Sequence, residues 1–69
     1  MEKNQLALRI RGFRKLKGHT QTEFAKRVGV SVSVLGAIER GNRMPDGKLL
    51  EKMAKVLEVG KDELLSPPL

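Results

Sequence analysis

The chain has 69 residues, no cysteine, one histidine and a formal net charge of +6. It can build one small core, and it has no material for a disulfide framework or a thiolate zinc site. No apolar run approaches the roughly 18 residues of a membrane span. The start, Met1-Glu2-Lys3-Asn4-Gln5, lacks the apolar centre of a signal peptide, which predicts a cytoplasmic protein.

Leu6, Ile10, Phe13 and Leu16 recur at i, i+4, i+7 and i+10, predicting a first helix over about residues 5–17 that closes at Gly18. Gly12 inside it costs about 1 kcal/mol relative to alanine. Packing must offset that cost, or a neighbour must approach closely there. His19, just ahead of the next helix, is placed to lie against Phe24 as a staple rather than to take part in catalysis.

Thr20 followed by Glu23 forms a capping box, so a second helix should begin at Gln21 with Phe24, Ala25 and Val28 on its inner face. Gly29 enters the left-handed conformation without a Cβ clash and redirects the chain within one residue. Ser31 then caps a third helix from Val32, with Leu35 and Ile38 turned inward and Gly41 as its end. Two short helices crossing steeply at such a turn, over about residues 21–40, are a helix-turn-helix. A rival reading exists, because Val28, Val30, Val32 and Val34 alternate with glycine or serine like a strand. The upstream capping box, the helical spacing on both sides and the lack of a second strand to pair with favour helix.

Asn42 to Pro45 reads as a loop, and Asp46 as the N-cap of a fourth helix over about 47–57 carrying Leu49, Leu50, Met53, Ala54 and Leu57. Lys61 to Leu65 predicts a short fifth helix started at Gly60, and residues 66–69 a short tail. There are no repeats and no internal boundary, so residues 1–69 are expected to be one all-α domain. Met1 and the Pro67-Pro68-Leu69 ending read as the two ends of a whole protein.

Charge is unevenly placed. Residues 1–45 carry ten basic groups against three acids, a net +7, whereas residues 46–69 carry four against five, a net −1. The cationic half holds the helix-turn-helix, which is the electrostatic footprint of a polyanion partner.

The ordered set Lys17-Gly18, Thr20-Gln21, Glu23-Phe24-Ala25, Val28-Gly29-Val30-Ser31, Leu35, Ile38-Glu39-Arg40-Gly41, Pro45, Leu49-Leu50, Ala54, Leu57 and Asp62-Glu63-Leu64 resembles the helix-turn-helix family of phage repressors, Cro proteins and XRE-type regulators. The resemblance covers about residues 6–65. It implies a compact five-helix, lambda-repressor-like domain that binds double-stranded operator DNA as a symmetric homodimer and represses transcription. It assigns phosphate contacts to Gln21, Asn42, Arg43 and Lys48, base reading to Val32, Ser33, Gly36 and Ala37, and a structural ion pair to Arg14 and Glu39. Gln21 would be helped by the free amides and dipole at the start of its helix.

The outward positions of the recognition helix depart from the usual arginine, glutamine or threonine. They offer the Ser33 hydroxyl to a base edge and Val32 or Ala37 to a thymine methyl, while Gly36 would let the helix sit deep in the groove. Affinity should then lean on phosphates and specificity partly on DNA shape.

The alternative is an antitoxin-like or partner-captured interaction module with secondary DNA binding. Its motive is the apolar recognition face, with Leu64, Leu65 and Leu69 left over as a seam for a partner or for a second copy. An enzyme is disfavoured, since a chain this small with one histidine offers no nucleophile or acid–base pair held in a pocket. No cofactor or metal is expected. Membrane-surface binding would need an exposed apolar helix face, whereas the core should consume these apolar stripes.

Overall fold

A computed structural model describes residues 3–65 as five α-helices: α1 (Lys3–Leu16), α2 (Gln21–Val28), α3 (Val32–Glu39), α4 (Gly47–Leu57) and α5 (Lys61–Leu65). The expected tail 66–69 lies outside the described residues. No strand occurs among the described residues, and the valine alternation resolves into the end of α2, the turn and the start of α3. Val30 and Val34 pack against the core from its edge, so the alternating valines serve a helix corner and not a pleated face.

Local signals set the boundaries. The Thr20 hydroxyl accepts from the Glu23 amide at 3.1 Å while the Glu23 carboxylate accepts from the Thr20 amide at 3.1 Å, satisfying two otherwise orphaned donors. That backbone N–H of Thr20 is the main reason the Glu23 carboxyl is held below its ordinary pKa, with nearby His19 and Arg27 adding to the effect. Gly29, at φ +81°, closes α2 by donating to Ala25 and Lys26 carbonyls. Ser31 and Asp46 cap α3 and α4, accepting from Val34 at 3.1 Å and Leu49 at 2.8 Å.

The interior gathers Leu6, Ile10, Phe24, Ala25, Val28, Leu35, Ile38, Met53, Leu57 and Leu64 from all five helices. The His19 ring lies 5.9 Å from the Phe24 ring, centroid to centroid. Arg9 ties α5 to α1 by donating from Nε to the Leu64 carbonyl at 3.0 Å and from Nη2 to the Glu63 carbonyl.

Four expectations need correction. The periodicity of α1 predicts Leu16 on the core face, and it is instead 76% exposed. At about 100° per residue it has drifted roughly 80° from Leu6, and the buried face rotates the other way, toward Ala7 and Arg14. Leu8, at 65% exposed, also stands outside the core, so the apolar stripes are not fully consumed. Leu64 is fully buried and unavailable as a seam, whereas Leu65 is 38% exposed. Finally, nothing lies within 4 Å of where a Cβ on Gly12 would be, so neither packing nor close approach explains the glycine there.

Gly12→Ala should therefore stabilise the fold by about 0.5–1 kcal/mol, since alanine is the better helix former and meets open space. Glu58 ends α4 in the left-handed conformation at φ 59°, where Glu58→Gly should gain a similar amount. Thermal melts should each rise by a few degrees, roughly 4–8 °C per kcal/mol for a domain this small. An unchanged or lower midpoint for Gly12→Ala would mean that the exposed face of α1 is occupied in solution.

Candidate nucleic-acid interface

α3 is held at both edges and open between them. Leu35, Ile38 and Glu39 turn into the molecule, while Val32, Ser33 and Arg40 are exposed and Ala37 is half-buried. Gly41, at φ +78°, turns the chain out of α3, and the Asn42 amide closes that turn on the Ala37 carbonyl at 2.9 Å. Asn42 and Arg43 are left exposed at the end of the helix, and buried Pro45 anchors the loop before α4.

Gly36 departs from expectation. It is buried rather than open, because the Arg40 side chain folds back over it: a Cβ at this position would stand 3.0 Å from Arg40 Nη1 and 4.0 Å from Gln21 Nε2. The helix surface there is a guanidinium laid across a glycine, which buries Gly36.

Beneath that surface Arg14 and Glu39 meet. Arg14 Nε and Nη2 donate to the two carboxylate oxygens of Glu39 at 2.7 and 3.0 Å, and Nη1 donates to the His19 carbonyl at 3.0 Å. The side chains are 9% and 4% exposed, so this is a buried bidentate pair joining α1 to α3. Gln21, the first residue of α2, donates from Nε2 to Glu39 Oε1 at 3.2 Å. One carboxylate thus fixes side chains from α1 and α2 against α3.

Two clefts flank the open arc of α3. A cleft of about 350 Å³ is lined by Arg11, Arg14, Gln21, Gly36, Glu39 and Arg40. On the other flank a cleft of about 260 Å³ lies between the α2–α3 turn and α4, with Val30, Val34 and Leu49 as its apolar wall and Arg43, Lys48 and Lys52 among its cations. Gln21 and Gly36 therefore line one cleft and Val34, Arg43 and Lys48 the other, and at about 100° per residue Ser33 and Ala37 fall on the arc of α3 between Gly36 and Val34.

Arg11 and Arg40 are the residues that sequence reading left out. The signal for Arg40 was its spacing, four residues after a helical glycine, which puts its side chain above the gap that glycine leaves. Arg11 had no local signal, because only the α1–α3 packing brings it to this cleft.

A paired-helix corner of this kind, with its second helix offered to solvent between cationic flanks, defines the helix-turn-helix class. The profile of the family described as Helix-turn-helix (HTH_3) matches residues 10–64. The chain is 54% identical over 67 residues to the uncharacterized HTH-type transcriptional regulator YazB of Bacillus subtilis (strain 168), covering 97% of each. It is 41% identical over 58 residues to the HTH-type transcriptional regulator SinR of the same organism, which covers 83% of this chain and 52% of SinR, about half its length.

Among solved structures, the biofilm master regulator SinR in complex with DNA superposes with a TM-score of 0.83 at 39% identity, over 88% of this chain and 98% of that one. The DNA-binding domain of the P22 c2 repressor gives 0.86 at 34% identity, over 94% and 86%. The chain belongs to the XRE-type helix-turn-helix family, with the lambda-repressor-like fold.

Proposed function

We propose that this protein is a sequence-specific DNA-binding transcriptional regulator that represses from a palindromic operator as a homodimer. The observation that carries the reading is the exposed arc of α3 set between two cationic clefts. An α-helix fits the major groove of B-form DNA, and cations on either side of it then fall near the phosphates that border the groove. The likeness to a SinR–DNA complex supports the same reading. Gln21 contacts phosphate on one flank, and Asn42, Arg43 and Lys48 do so on the other. Ser33, Val32 and Ala37 face the bases, the apolar pair suited to thymine methyls.

Selection of bound duplexes from a random pool tests this directly. The expected product is an inverted repeat whose half-sites lie about 34 Å apart, one helical turn, matching two recognition helices in a two-fold dimer. A pool that shows no enrichment would overturn sequence-specific binding, and a single unrepeated half-site would overturn the dimer. Placing the selected site over a reporter promoter then separates repression from activation by the sign of the change.

One observation favours a second reading, capture by a protein partner. Val32 on the outward arc and Leu8 on α1 are 41% and 65% exposed, apolar surface that DNA phosphates do not use. A stoichiometric heterologous protein on this chain after purification from its source cell, together with failure of the duplex selection, would move the function there.

A further inference from the structure

Gly36 sits in the middle of an eight-residue helix, where glycine is a poor helix former. Its seat is taken by another residue's charge. Arg40, the C-cap of α3, has an αR backbone, and its guanidinium runs back along the helix to cover Gly36 beside the Gln21 amide. Arg11 borders the same cleft. Arg14 is matched by Glu39 at 2.7 Å, so the lining keeps an excess of positive charge from Arg11 and Arg40. A cleft with two guanidinium groups, a side-chain amide and the first turn of α2 suits a tetrahedral anion.

We propose that Gly36 and Arg40 act together as the seat for one DNA backbone phosphate, the missing side chain at 36 letting the Arg40 guanidinium lie flat beside Gln21. The inference rests on the DNA-binding reading and deepens it: Gly36 serves binding at the expense of helix stability and reads no base. A methyl group at 36 would stand 3.0 Å from Arg40 Nη1 and displace only the end of a flexible side chain. Folding and binding should therefore respond to Gly36→Ala in opposite directions.

The experiment compares the wild type with Gly36→Ala, Arg40→Ala and the double variant. Gly36→Ala should melt higher than wild type, yet bind the selected duplex about a hundredfold more weakly, the scale of one lost charge-assisted hydrogen bond in each protomer of the dimer. Its log affinity against log salt should be shallower by about 2, one phosphate for each protomer of the dimer. Arg40→Ala should show the same shallower slope with unchanged base preference, and the double variant no additional loss. Pyrophosphate, titrated as the free anion by NMR, should shift the Gln21 side-chain amide saturably in the wild type and not in Arg40→Ala.

Wild-type affinity and slope in Gly36→Ala would overturn the proposal. So would relaxed base preference in Arg40→Ala at unchanged slope, which would make Arg40 a base reader. If the wild type bound no duplex but pyrophosphate still shifted the Gln21 amide, the DNA reading would fail and the anion seat would stand. If duplex binding were retained with both variants at the wild-type slope, the seat would fail and the DNA reading would stand.

Discussion

Alanine at either Arg14 or Glu39 should cost about 3–5 kcal/mol of folding stability, because each change strands the opposite charge in the interior. A 69-residue chain holds only roughly 3–10 kcal/mol in total at the usual 0.05–0.15 kcal/mol per residue, so either change removes from about a third to all of it. The size of the effect comes from burial and from connectivity together. Glu39 accepts from Arg14 twice and from Gln21 once, and Arg14 also holds the His19 carbonyl, so one deletion loosens α1, α2 and α3 at once.

The paired substitution Arg14→Met with Glu39→Leu separates the two contributions. Replacing both charges by apolar groups of similar volume removes the desolvation penalty along with the attraction, and should recover most of the lost stability. Urea titrations of the wild type, Arg14→Met, Glu39→Leu and the double variant close the cycle and give the coupling energy. Single-variant losses under about 1 kcal/mol would mean that water screens the pair as it screens surface ion pairs.

The second large effect is on binding. Arg11 and Arg40 border one flank of α3, and Arg43 and Lys48 the other. A dimer using all of these would neutralise about eight phosphates, so its affinity for duplex should fall with a log–log salt slope near −7. Between about 50 and 200 mM salt that amounts to roughly a 10⁴-fold loss. Fluorescence anisotropy on a labelled duplex over this range measures it. A slope shallower than about −3 would mean that most of these cations never meet DNA.

The recognition arc itself explains why so much should rest on phosphates. Val32, Ser33 and Ala37 include no side chain able to make a bidentate bond to a base, so discrimination is limited to a hydroxyl, methyl contacts and the shape of the groove.

Much of this molecule is written in short-range chemistry. Thr20 with Glu23, Ser31 and Asp46 are caps whose partners lie within three residues, and Gly29 and Gly41 adopt positive φ because a turn requires it within the same few residues. Such features depend on neighbours along the chain, so helix starts and stops and the helix-turn-helix corner could be read before any tertiary contact was known. The five-helix count and nearly every core position follow from the same local periodicity.

What packing decided lies where neighbours come from other helices. The periodicity of α1 put Leu16 inward, but the face that other helices cover is turned toward Ala7 and Arg14, which leaves Leu16 in water. Gly36 falls on the outward arc by helical geometry, and only the path of the Arg40 side chain hides it. Arg11 joins Gln21 and Arg40 because α1 packs on α3, a contact across 25 residues of chain between Arg14 and Glu39. The order of residues therefore determined the helices, their caps and the cationic half, since those depend on bonds and charges close along the backbone. The tertiary structure alone decided which cations share a cleft, because that depends on how rigid helices cross.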